Sequence, residues 1–237
     1  MRKLALAASL LTFLDELEYT EAGLAADPDT SELSSAFAEE ITAWGAQFTA
    51  ERASRRAVTR AEAVVAVRDG QIDRLTQRFA GQALAEASGD RKAAAFKRFF
   101  PSPASELIRI ALRKQCERTR DVVVAELGKV DESSVLRPYL AQFEVVVSST
   151  FAALDVRATA RGARGSASHA TDEWKEGVNS LRLTTYAELV KIASEKGYPR
   201  AWAETFFRVE SAVGVPGGAG EETGPKGTEV GPASLRG

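Results

Sequence analysis

The chain has 237 residues, 44% of them hydrophobic, with 31 Lys/Arg against 33 Asp/Glu and a formal charge of -2. That is enough apolar material for a real core, and too even a balance for the whole-protein field to draw in nucleic acid or a membrane surface. Cys116 is the single cysteine, which excludes an internal disulfide, a Cys-rich zinc site and a CxxC redox centre and favours a reducing, cytoplasmic or intracellular-assembly setting.

Residues 1–30 read as an amphipathic helix and a turn. The helix is expected over about residues 3–18, with Leu6, Leu10, Phe13 or Leu14 and Leu17 on one face, and Asp27-Pro28-Asp29-Thr30 turns the chain. Met1-Arg2-Lys3 and Leu4 to Leu14 also imitate the charged and apolar regions of a secretory signal. The run enters Asp15, Glu16, Glu18 and Glu21 with no small-residue cleavage site close behind, so secretion is the lesser reading. No apolar run is long enough to span a bilayer.

Residues 31–130 form a first helical half plus a linking helix. Ser31 or Ser34 is placed to cap, and Phe37, Ile41, Trp44 and Phe48 step by four, three and four along one stripe. The stripe is expected to continue through Ala50, Ala53, Ala57, Ala61 and Val64, packed closely because Ala admits a neighbouring backbone. Bulk then returns at Ile72, Leu75 and Phe79, and Gly70 is a candidate kink. Ser88-Gly89-Asp90 stops this helix, and a short aromatic segment ends at Phe99-Phe100 against Pro101. Behind Ser102-Pro103 a linking helix carries Leu107, Leu112, Cys116, Val123 and Leu127 toward Gly128, which predicts a buried thiol.

Residues 131–213 repeat the order. Asp131 or Ser133 is placed to cap a helix faced by Leu136, Leu140, Phe143, Val147, Phe151 and Leu154, the polar stretch 157–168 is either helix or loop, and Trp174, Val178, Leu181, Leu189 and Ile192 form a further stripe. Gly197-Tyr198-Pro199 turns the chain into Trp202, Phe206 and Val209. At an offset of 107, Gly70 falls on Gly177, Phe79 on Tyr186 and Phe99-Phe100 on Phe206-Phe207, so two similar halves are expected. Residues 214–237, rich in Gly, Pro, Glu, Lys and Thr, have almost nothing to bury and are expected to be disordered. The fold class is all-α: long antiparallel helices in a bundle.

Chemistry finds little to work with. His169 is the only histidine, which is too few for a di-iron bundle or a facial triad, and it is expected to be exposed. No Gly-x-Ser-x-Gly elbow, P-loop or dinucleotide fingerprint occurs, and doublets such as Glu39-Glu40 diverge around a helix rather than converge on a substrate. No catalytic, cofactor-binding or metal residue is assigned.

Two candidate surfaces remain. Arg52, Arg55, Arg56 and Arg60, with Arg157, Arg161 and Arg164 in the other half, form a ridge that could follow phosphates, although no aromatics are interleaved for base stacking. Phe96, Phe99, Phe100, Trp202, Phe206 and Phe207 are core by spacing, but adjacent aromatics diverge on a helix, so one of each pair is a candidate anchor for a partner.

The leading expectation is a non-enzymatic structural or adaptor protein acting through protein partners or self-association, with a soluble adaptor and a component of a larger assembly or virion fitting the composition equally well. The alternative is a nucleic-acid or polyanion binder using the arginine ridge. An interior carrier of a small apolar ligand would require a cavity among Trp44, Phe151 and Trp174.

Overall fold

A computed structural model describes residues 3–208, and among these there is no strand. The elements are α1 Leu10–Ala26, a 3-10 turn Ser31–Leu33, α2 Ser34–Glu86, the short α3 Ala94–Lys97, α4 Ala104–Arg109 and α5 Leu112–Arg118. A π-helical turn, Thr119–Val124, leads into α6 Ala125–Leu127, and α7 Pro138–Lys196 and α8 Arg200–Glu204 follow. The expected tail, 214–237, lies outside the described residues.

At about 1.5 Å per residue, the 53 residues of α2 and the 59 of α7 extend to about 80 and about 90 Å. They run antiparallel. Glu40 bonds Trp174 and Glu51 bonds Arg164, Val65 clusters with Ala153 and Leu154, and Phe79 meets Phe143.

Each end of this hairpin carries a bundle. In the terminal bundle, α1 and α8 pack on the start of α2 and the end of α7, burying Phe13, Leu17, Phe37, Leu189, Phe206 and Phe207. In the distal bundle, α3 to α6 pack on the end of α2 and the start of α7. Phe79 is its centre, edge-on to Phe99 at 5.1 Å and to Phe143 at 5.4 Å between ring centroids. Each buried aromatic contributes about 2–3 kcal/mol of transfer free energy.

Between the bundles the two long helices form a thin rod. The inward positions on α2 continue from Trp44 by threes and fours through Phe48, Glu51, Ser54, Val58, Ala61 and Val65, the seam spacing of an antiparallel helix pair. The expected alanine stripe is therefore corrected: Ala50, Ala53, Ala57 and Val64 are exposed, and of that set only Ala61 is buried. Composition pointed to alanine, whereas the 3.5-residue period put Glu51 and Ser54 on the contact line.

Other expectations are corrected at helix ends. α1 begins at Leu10 and reaches Ala26, with Ser9 accepting a bond from the Thr12 N–H at 3.0 Å. Residues 3–8 are a non-helical strap, so Leu4 is buried and Leu6 exposed. Asn179 both donates to the Leu4 carbonyl (2.9 Å) and accepts from its N–H (2.8 Å), while Lys175 donates to the carbonyls of Leu6 and Ala8 (2.7 and 2.8 Å). Neither Ser31 nor Ser34 caps α2, and α7 starts at Pro138, with Asp131 instead bonding Ser133 in the preceding turn. The linking helix is broken at Ile110, where ψ is 163°. Gly70 leaves α2 continuous, and 157–168 is helical.

Shifted by 107, α2 (34–86) lands on 141–193 inside α7, and α3 (94–97) lands on 201–204 inside α8. That overlap does not establish the two similar halves expected: few side chains match, and α4 to α6 have no counterpart after α8 among the described residues.

Candidate functional site

The six aromatic candidates lie in the chain's own cores. Phe96, Phe99 and Phe100 are 6%, 1% and 3% exposed, and Phe206 and Phe207 are both 5%. The divergence argument needed a continuing helix, but α3 ends at Lys97 and α8 at Glu204. Each pair thus sits on a turn that directs both rings inward. Trp202 alone is half-buried, packed between Tyr198 and Phe206 at 5.0 Å from each.

The antiparallel pairing brings the two arginine stretches together at the middle of the rod. Arg55 and Arg164 share one carboxylate, Glu51, at 2.5 and 3.1 Å, and Arg161 pairs with Glu62 at 2.7 Å. Arg157 is half-buried. Arg52, Arg56 and Arg60 are exposed and, among the described residues, make no ion pair. Exposed pairs of this kind contribute about 0–1 kcal/mol each, so the band is a charge feature more than a clamp.

The three residues named for an interior pocket do not converge. The Trp44 indole donates to the Leu10 carbonyl at 2.7 Å and Trp174 donates to Glu40 at 2.6 Å, both in the terminal half. Phe151 lies in the distal half beneath Arg113 and Arg120. His169 is exposed, 3.2 Å from Glu173, and no cluster of three metal-ligating side chains occurs among the described residues.

Cys116 is fully buried beside Ile72 and Val147, and burial pushes its thiol up to about 11, with a bond to Thr150 pulling the other way. Asp69, one turn of α2 from Asp73, is raised from its ordinary value by partial desolvation and by its like-charged neighbour. Around them the sequence reading missed a buried polar layer of Thr76, Gln115, Thr119 and Thr150, all at 0% exposure, with Gln115 donating to Asp73 at 2.8 Å.

A groove of about 830 Å³ runs along the distal bundle between α2 and α7. Arg68, Arg74 and Arg78 line it over a floor that includes Leu75, Ala141 and Val145. A smaller cleft of about 450 Å³ lies under the strap, lined by Phe48, Glu51, Arg164 and Lys175 among others. The sequence reading listed neither. The signal for the groove in the sequence is the i, i+4 spacing of Arg74 and Arg78 beside Leu75, which the core stripe of Ile72, Leu75 and Phe79 overshadows. No known protein family matches the chain, and no curated protein and no solved structure is detectably similar to it.

Proposed function

We propose that this chain is a non-enzymatic structural or adaptor protein: a rigid spacer that holds two helical bundles a fixed distance apart and works by contact with other proteins or with copies of itself. One observation carries the reading. Beyond Ile41 and Trp44, which pack on the terminal bundle, α2 buries no side chain fully until Ala61, yet it stays unbroken over that stretch of about 25 Å. Fixing each backbone residue costs about 1–2 kcal/mol, and a core-less helix pair recovers little of that, which is consistent with length itself being the useful property. A place in a larger assembly follows naturally for a spacer.

Sedimentation equilibrium from about 1 to about 200 µM tests the self-association arm, and isolation from the native source tests the partner arm. Mass that grows with concentration, or a stoichiometric protein partner, is expected. A strict monomer that copurifies with nothing would remove the reading.

A second reading, polyanion binding, is favoured by the exposed and unpaired Arg52, Arg56 and Arg60 beside the Arg157–Arg164 band. It requires salt-sensitive DNA binding that the triple change to Ala abolishes, and no binding at low salt eliminates it.

A further inference from the structure

We infer that the groove on the distal bundle is the seat for the outer face of α1 of a second copy of this chain. The inference rests on the self-association arm of the proposed function and specifies its contact. Charge is segregated along the hairpin. Residues 3–48 and 165–208, which build the terminal end, hold seven Lys/Arg against fifteen Asp/Glu, while 49–164 hold twenty-one against fourteen. The terminal end thus carries about -8, while most of the +7 sits in the mid-rod arginine band and the distal end, residues 65–156 with fourteen Lys/Arg against twelve Asp/Glu, carries about +2; the two ends of neighbouring copies are therefore opposite in sign.

The local surfaces agree with the global charge. Arg68, Arg74 and Arg78 line the groove, and no carboxylate does. Its floor includes Val145, which at 67% is the most exposed large apolar side chain among the described residues. Exposed Val64 and Val67 continue the stripe along α2 at helical spacing. This flank is open because α5 covers the other: Gln115 of α5 bonds Asp73, which sits roughly 100–160° around α2 from Gln71, Arg74 and Arg78.

The outer face of α1 is the complement. Leu11, Asp15, Glu18 and Ala22 recur at steps of four, three and four, with Tyr19 beside them; Leu11 is 56% and Tyr19 47% exposed, and the face has no cation of its own. Asp15 pairs with Arg208 at 3.5 Å, both more than half exposed, and the Tyr19 hydroxyl donates to the Thr205 carbonyl at 3.2 Å. Leu11 to Ala22 and Arg68 to Arg78 each span about 15–17 Å, so helix face and groove match in length. Seating α1 there adds a helix to the α2, α7 and α5–α6 packing, an acidic amphipathic helix laid in a basic-rimmed apolar groove.

The test is sedimentation velocity on the full chain and on two charge-reversed variants, Arg74→Glu/Arg78→Glu and Asp15→Lys/Glu18→Lys, with helical circular dichroism as the fold control. Wild-type association should weaken about tenfold or more between about 50 mM and about 0.5 M salt, and each variant alone should associate about tenfold more weakly. The equimolar mixture should recover, because each reversed surface then finds an opposite charge. Val145→Asp, at a site too exposed to threaten folding, should weaken association as well. Unchanged association in all three variants overturns this contact and leaves the spacer reading standing. A wild type that stays monomeric at low salt overturns the contact together with the self-association arm.

Discussion

Arg182 and Glu16 lie 2.9 Å apart with side chains 2% and 5% exposed, and the guanidinium sits 5.5 Å from the Phe207 ring centroid. Removing one partner of such a pair leaves the other charge buried, so Arg182→Ala should lower urea-unfolding stability by about 3–5 kcal/mol, whereas Glu16→Leu with Arg182→Met should come much closer to wild type. The signal was present in the sequence: Arg182 stands in register with Val178, Thr185 and Leu189, where charge alone argued for the surface. Cys116, by contrast, was legible because it stood on an apolar stripe, and it is buried. Its thiol should resist a disulfide reagent at about pH 8 in the native state and react on unfolding. The folded state holds this proton more tightly than the unfolded chain. The stability it contributes is therefore complete below about pH 9 and lost as pH rises toward about 11, a loss that Cys116→Ala should not show in pH-dependent urea melts.

At the scale of elements, periodicity located the long helices, and capping chemistry misplaced several of their starts. A serine followed by helical sequence suggests a cap, but at Ser31 and Ser34 a 3-10 turn enters α2 directly. Only contacts distant in sequence explain the strap, because Asn179 and Lys175 hold its backbone from more than 160 residues away. Asn179→Ala strands the buried N–H and carbonyl of Leu4. It should cost about 1–3 kcal/mol and raise amide exchange at Leu4 and the following strap residues before the rest of the terminal bundle responds. If exchange rises evenly across α1, the strap is not separately fastened. The aromatic pairs teach the same lesson in reverse: spacing gave their burial, and the turn after each short helix decided that both rings go in.

At the scale of the molecule, a compact domain of this size would have a radius of gyration near 17 Å, whereas a rod of about 90 Å gives about 25–30 Å. X-ray scattering at high salt, on a chain ending at Arg208, should return the larger value. A value near 17 Å would mean that the hairpin folds back on itself. The rod also determines where charge goes. Arginine stretches 107 positions apart in sequence become one band because antiparallel helices put the middle of each against the middle of the other.

Sequence alone determined the helical class, the two long amphipathic stripes and the buried thiol. All of these are local, set by the period of apolar residues and the positions of Gly and Pro. Tertiary structure alone decided which arginines are tied to carboxylates, that Glu16 and Arg182 are interior, that residues 3–8 lie as a strap, and that one flank of α2 and α7 stays open. Most of those depend on which surfaces a chain brings together between segments far apart in the sequence, and a one-dimensional period carries no record of that pairing.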